Sequence, residues 1–213
     1  MGFYLEKQAL IASGISHRQG IAEYRDRLSC LLSRFAAQEG LPSPALKRAK
    51  KLFDWLWKEK PRRYRPGGNF RLNRVIDDQI RTGPAAVGNC LGLTLLYNCL
   101  LKRIGIAAGA VYLEYTFETA PHLITLLQID ETSVDIENTT PDGFDYKGYK
   151  KDPSRILWGD QELVADIYHS IGNEHFEKGE FSRALNSYNK ALELYPGYGR
   201  ALLNKTILMD RMG

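Results

Sequence analysis

The hydrophobic pattern divides the chain into an early helical part and a later part with strand-like alternation. Apolar residues recur at three-to-four spacing over 15–37 and over 44–57, which predicts two amphipathic helices that serve as packing scaffold. A short helix is predicted over 70–80. A strongly apolar helix is predicted over 90–104, beginning just after Asn89.

Alternation of apolar and polar residues then replaces the helical spacing. The segment 111–117 alternates as a strand does, and two further runs, 122–129 and 132–138, predict a hairpin with a two-residue turn at 130–131. Because the helices come first and the antiparallel strands after them, we predict an α+β domain over residues 1–150.

The last fifty residues follow a different pattern. From residue 165 the chain resembles the helix-turn-helix unit of the tetratricopeptide repeat, which is about 34 residues long. The matching positions are Tyr168, Ile171, Gly172, Phe176, Gly179, Phe181, Ala184, Tyr188, Ala191, Leu192 and Pro196. We predict a linker at 151–164 and a repeat segment at 165–213, with one full repeat and part of a second. Because so short an array cannot close its own core, we expect it to dock on the preceding domain.

Composition and charge indicate an ordinary globular chain rather than a disordered, fibrous or membrane-spanning one. The chain has 213 residues, a net charge of +4 and three cysteines, which is typical of a globular protein in a reducing compartment. No secretory leader is recognisable, and we therefore expect a cytoplasmic address. The longest uncharged stretch, 82–101, contains Pro84, Gly88 and Asn98, so it predicts a buried helix rather than a membrane span.

Cys90 is the candidate nucleophile. It lies at the start of the apolar helix, where unpaired backbone amides and the helix dipole favour a thiolate and can hold an oxyanion. Cys30 lies inside an amphipathic helix, and Cys99 is roughly 13 Å further along the same helix axis, too far to form a disulfide with Cys90. The alternative for Cys90 is a buried thiol with only a packing role.

His122 is the natural base, because it begins a predicted strand. The other histidines are His17, His169 and His175, of which the last two fall in the repeat segment. With a turn at 130–131, His122 shares a sheet face with Asp135 and Glu137, while Asn138 faces away. Asp135 on the following strand would orient the base, but that register separates the two by roughly 13 Å. Either the hairpin is irregular or Glu137 competes for this role.

The order of these residues resembles the transglutaminase-like superfamily within the papain-like fold. The motifs that carry the resemblance are Gly88-Asn89-Cys90, Leu93, Tyr97, Arg103-Ile104-Gly105-Ile106, Pro121-His122-Leu123 and Val134-Asp135-Ile136. Together with the repeats, they are similar to a bacterial branch in which a transglutaminase-like core precedes tetratricopeptide repeats. The resemblance implies acyl transfer through a thioester by Cys90, His122 and Asp135, with a peptide or amide substrate and no cofactor. Asn89 or Gln79 is a candidate oxyanion donor.

Two other functions stay open. One is a catalytically silent adaptor that binds proteins through its repeat segment. The other is RNA binding by the region 47–74, which carries a net charge of +9 with Trp55, Trp57, Tyr64 and Phe70 among the basic residues. The sequence predicts no metal site, since no pair of Cys or His has the close spacing of zinc ligands. Neither a Walker loop nor a dinucleotide-binding fingerprint occurs.

Overall fold

The fold combines helices with one antiparallel sheet. A computed structural model describes residues 5–41, 44–116, 120–129 and 132–212. The last residue of the first predicted strand and the predicted turn at 130–131 lie outside these ranges. The described helices are α1 (Leu5–Ala12), α2 (Arg18–Glu39), α3 (Ala45–Glu59), α4 (Leu72–Ile80), α5 (Cys90–Arg103), α6 (Asp160–Glu177), α7 (Phe181–Leu194) and α8 (Gly199–Met212). The described strands are β1 (Ala108–Thr116), β2 (Ala120–Ile129), β3 (Thr132–Ile136) and β4 (Arg155–Trp158).

The sheet has the strand order β3-β2-β1-β4, and all neighbours are antiparallel. Thr125 pairs with Ile136, and Leu126 pairs with Asp135, which is the register predicted for the hairpin. This register is set by the pleat, because a shift of one residue would exchange the two faces of β2.

Helix α5 is the centre of the core. Every residue from Leu91 to Leu101 is buried, and the helix packs on β1 and β2. A buried polar network joins the helix to the sheet: Thr125 donates to Asn98 over 2.7 Å, and Asn138 donates to Thr94 over 3.1 Å and to Thr125 over 2.9 Å. Asn138 therefore faces α5, away from the face that carries His122, as predicted.

The C-terminal helices dock on the rest of the protein. Helix α6 packs on α1 and α5, and its residues Leu163 and Val164 belong to the same core cluster as α5. Arg71 donates two hydrogen bonds to Glu174 of α6, over 2.8 and 2.5 Å. Tyr198, between α7 and α8, packs edge-on against Tyr112 of β1 and Trp158 of β4, with ring centroids 6.5 and 5.5 Å apart. The expected docking is therefore observed.

Two elements differ from the sequence-based expectation. Helix α1 was not predicted, and the segment 151–164, predicted as a linker, contains β4 and the first turn of α6. Strand β4 forms because β1 offers it a free edge, with Val111 paired to Leu157. Four residues are too few for a visible alternation.

Candidate functional site

Cys90 is the first residue of α5 and is partly exposed. The preceding Asn89 caps the helix, since its side-chain oxygen accepts a hydrogen bond from the Gly92 amide over 3.0 Å. The cap satisfies one of the free amides of the first turn. The sulfur therefore lies where the helix dipole favours negative charge.

A tight contact with the preceding loop fixes this helix start. The Asn89 amide donates to the Asn69 carbonyl over 3.0 Å, and a Cβ on Gly92 would lie 2.3 Å from the same oxygen. Only glycine fits at residue 92 for this reason. The Gly-Asn-Cys-Leu-Gly sequence therefore positions the thiol through backbone contacts.

His122 lies between the thiol and a carboxylate. Its Nε2 atom is 2.6 Å from Oε2 of Glu137, and its side chain is also hydrogen-bonded with Cys90. The ring edge of His122 also contacts Tyr149, with centroids 5.8 Å apart.

The pKa of His122 is set by two opposing effects. Burial alone would lower the pKa, but the hydrogen bonds with Cys90 and Glu137 outweigh burial and raise it to about 10. The imidazole ring is therefore protonated at neutral pH.

Both carboxylate oxygens of Glu137 take part in hydrogen bonds, Oε2 with His122 and Oε1 with Thr139. Its Oε1 accepts hydrogen bonds from the Thr139 amide over 2.9 Å and from the Thr139 hydroxyl over 2.6 Å. Burial would raise the pKa of Glu137, but the bond with His122 and the donors of Thr139 hold it below its usual range. Gly143 makes this packing feasible, since a Cβ there would lie 1.9 Å from the Glu137 carbonyl oxygen.

The structure does not bring Asp135 to His122. Both Asp135 oxygens accept hydrogen bonds from Arg155, each over 2.8 Å, and Asp135 is fully buried. The physical reason is the regular register, which leaves Asp135 far from His122 and places Glu137 nearer. Of the two acids that the sequence left open, Glu137 is the partner of the histidine.

The other two cysteines lie away from this cluster. Cys30 is exposed on α2. Cys99 is buried, and burial raises the pKa of its thiol. Within the described part of the chain, Cys90 is the cysteine that has a histidine beside it.

A cavity of about 220 Å³ opens beside Cys90 and His122. Residues of the C-terminal helices, including Asp166 and Ser170, line its other side. The sequence did not identify these residues as part of the site. It predicted that the C-terminal helices dock on the preceding domain, but no sequence pattern indicates which of their faces lies against Cys90.

Oxyanion donors are available at the helix start. The backbone amides of Cys90 and Leu91 belong to the first turn of α5, where amides lack helical partners. Asn89 also lines the cavity. Gln79 is buried, and its amide lacks a hydrogen-bond partner in the described residues, but it is not among the residues lining the cavity.

The basic region 47–74 offers little surface for RNA. Trp55, Trp57 and Phe70 are buried, so these rings cannot stack on bases. Several of its cations are already engaged: Lys50 with Asp54, Lys58 with Glu39 and Arg71 with Glu174. Of the four aromatic residues in the RNA hypothesis, three are therefore unavailable for stacking, and Tyr64 is partly exposed.

The described residues offer neither a metal site nor a membrane-spanning helix. Across the described ranges, no group of three or more His, Cys, Asp or Glu is arranged to hold a metal ion. No helix among those described has the length and apolar character needed to cross a bilayer.

Comparison with known proteins identifies the C-terminal segment. Residues 165–198 match the family model of the tetratricopeptide repeat, which confirms the predicted repeat and corresponds to α6, α7 and the turn that follows. No curated protein and no solved structure is significantly similar to the chain. The chain therefore combines a mixed helix and antiparallel-sheet region with one tetratricopeptide repeat, a unit typical of protein–protein interaction.

Proposed function

We propose that the protein is a thiol-dependent acyl-transfer enzyme with a transglutaminase-like, papain-like core. The observation that carries the proposal is His122, hydrogen-bonded with Cys90 on one side and with Glu137 on the other. A cysteine triad needs a nucleophile, a base beside it and a group that orients the base, and these three residues supply the roles in that order. The proposed triad is Cys90, His122 and Glu137. Glu137 takes the orienting role that the resemblance implied for Asp135, because Asp135 is hydrogen-bonded to Arg155.

The reaction has two steps. The Cys90 thiolate attacks an amide or peptide carbonyl, and the bond to the leaving amine breaks as His122 gives that amine its proton. A thioester remains on Cys90. Water or a second amine then attacks the thioester, His122 takes the proton of the attacking group, and the thiolate leaves. Water as acceptor gives hydrolysis, and an amine gives crosslinking.

Alkylation by iodoacetamide tests the proposal in the full chain. At pH 7 we expect Cys90 to react at least about tenfold faster than the exposed Cys30, with each site measured by mass spectrometry. His122→Ala is expected to remove this advantage, because the imidazolium no longer stabilises the thiolate. Cys30 in the same molecule is the matched control, and retained protection of the buried Cys99 reports that the variant is folded.

A binding protein is the second candidate. The tetratricopeptide match favours it, as do the exposed apolar side chains on α8, among them Leu203, 59% exposed, and Met209, 54% exposed. A Cys90 no more reactive than Cys30 in the folded protein would contradict the enzyme and favour a partner-binding role for the repeat.

A further inference from the structure

The cavity beside Cys90 has two walls of different origin. Cys90, His122 and Leu123 come from the first part of the chain, while Asp166 comes from the tetratricopeptide repeat and Arg200 from α8, which follows it. The repeat therefore does more than dock: it closes one side of the candidate site. Side chains from α6 and α8 therefore line the same cavity as the thiol.

Arg200 is the cation of that second wall. It is the second residue of α8 and is partly buried. Among the ion pairs of the described residues, Arg200 takes part in none. Asp166 is close by, but its carboxylate already accepts the Tyr198 hydroxyl over 2.6 Å and lies 3.4 Å from Nδ1 of His169. The guanidinium of Arg200 interacts with the Tyr112 hydroxyl, and its remaining donors form no ion pair within the described residues.

The hydroxyl of Tyr112 is a second polar group that lines the cavity beside Arg200. Tyr112 is only 5% exposed and lines the cavity, and its buried oxygen has no well-aligned hydrogen-bond partner among the described residues apart from its interaction with the Arg200 guanidinium. The stacking on Trp158, 4.1 Å between centroids, fixes the ring. Burial raises the pKa of Tyr112 to about 12 against the opposing positive charge of Arg200, so the hydroxyl stays a donor. Buried hydroxyls are normally hydrogen-bonded.

From this arrangement we propose that Arg200, assisted by the Tyr112 hydroxyl, binds a carboxylate of the acyl donor. This inference rests on the proposed function and names its substrate class: amides that carry a carboxylate next to the reacting carbonyl. The guanidinium fork matches a carboxylate with two parallel hydrogen bonds, and the phenol supplies a third. The cavity of about 220 Å³ has room for a carboxylate-bearing group of the acyl donor.

A pair of alkylating reagents tests the proposal without a known substrate. Iodoacetate and iodoacetamide differ mainly by the carboxylate, and both react with a thiolate by displacing iodide. We expect the rate ratio of iodoacetate to iodoacetamide to be higher at Cys90 than at Cys30. Arg200→Gln should lower the ratio at Cys90 about tenfold, because only the charged reagent uses the guanidinium, while any change in the reactivity of the thiolate affects both reagents and cancels in the ratio.

Matched variants separate specific binding from general charge. Lys205→Gln makes the same charge change on the same helix at a residue that is not among those lining the cavity, and should leave the ratio unchanged. Tyr112→Phe keeps the ring stack and should lower the ratio by a smaller factor. An unchanged ratio in Arg200→Gln, or an equal loss in Lys205→Gln, would overturn the proposal. A slow iodoacetamide reaction at Cys90 would instead count against the proposed function alone.

Peptide reagents distinguish the two sources of the carboxylate. Bromoacetyl-glycine and its amide test a free C-terminus, and the amides of bromoacetyl-aspartate and bromoacetyl-asparagine test a side chain. We expect one pair to show a preference for the acid that Arg200→Gln removes. If neither pair shows such a preference, the carboxylate site is not used by peptides of this length and the substrate class is wrong.

Discussion

The choice between two carboxylates is decided by the bonds that each residue makes. The sequence placed His122, Asp135 and Glu137 on one face of the sheet, and it also showed that a regular hairpin leaves Asp135 too far away. It could not show that Arg155 would take Asp135, since Arg155 lies in a short strand with no visible alternation. Cys90 and His122 could be identified as candidates from the sequence, because the start of a helix and the start of a strand each have a recognisable local pattern.

The His122–Glu137 pair predicts a specific dependence of stability on pH. The folded pKa of His122, about 10, lies above its ordinary 6.5, so its contribution is complete below 6.5 and is lost as the pH rises to about 10. Glu137 has a pKa below its ordinary 4.5, so its contribution is present above 4.5 and is lost in acid. Glu137→Gln should therefore lower the free energy of unfolding most between pH 4.5 and pH 6.5. We expect a loss of about 3 kcal/mol in urea unfolding at pH 5.5 and a clearly smaller loss at pH 9.5.

Two further measurements make that prediction specific. NMR of the imidazole should show a lower pKa for His122 in Glu137→Gln, which a merely structural role of Glu137 would not require. Glu180→Gln is the matched control, because Glu180 pairs with His175 at the surface and its loss should have a much smaller effect on stability. Equal costs of Glu137→Gln at both pH values would contradict the assignment.

At the scale of elements, every described element of nine or more residues was predicted, as was β3 within its hairpin, whereas α1 and β4 were not. Helix α5 has a cap, an apolar body and a basic last turn, and it begins where the sequence predicted. Helix α1 has eight residues and β4 has four, so neither contains enough periods to stand out. Both depend on tertiary contacts, with α1 packed on α6 and β4 paired with β1.

The start of α5 predicts an unusual response to alanine. Gly→Ala inside a helix normally stabilises by up to about 1 kcal/mol. In Gly92→Ala the new Cβ would lie 2.3 Å from the Asn69 carbonyl and 2.8 Å from Cγ2 of Val75, so we expect a loss of about 2 kcal/mol. Because the first turn of α5 must then shift, iodoacetamide labelling of Cys90 should also slow.

Gly199→Ala is the control for that experiment. Gly199 begins α8, and a Cβ there would meet nothing within 4 Å. The variant should keep the stability and the Cys90 labelling rate of the unmodified chain. A Gly92→Ala protein with unchanged labelling would show that the backbone contact with Asn69 does not position the thiol.

At the scale of the whole molecule, the two parts share one core. The sequence predicted that a short repeat array must dock, because it cannot bury its own faces. It could not predict which face would dock, since that depends on surfaces assembled from distant segments. Residues of α6 and α7 join the same apolar cluster as α5, including Ala165, Ile167 and Ala191. The repeat therefore should not unfold independently of the sheet.

Leu163→Ala tests this common core. Leu163 lies on α6, is fully buried and belongs to the cluster that contains α5, so its truncation should cost about 3 kcal/mol of unfolding free energy. In native-state hydrogen exchange, amides of α5 and of α7 should lose the same protection free energy, because both open only with the whole molecule. Leu203→Ala, at a side chain 59% exposed on α8, should change stability by no more than about 0.5 kcal/mol. Loss of protection confined to α7 would mean that the repeat unfolds separately, and the second wall of the cavity would then be able to leave the thiol without unfolding the site.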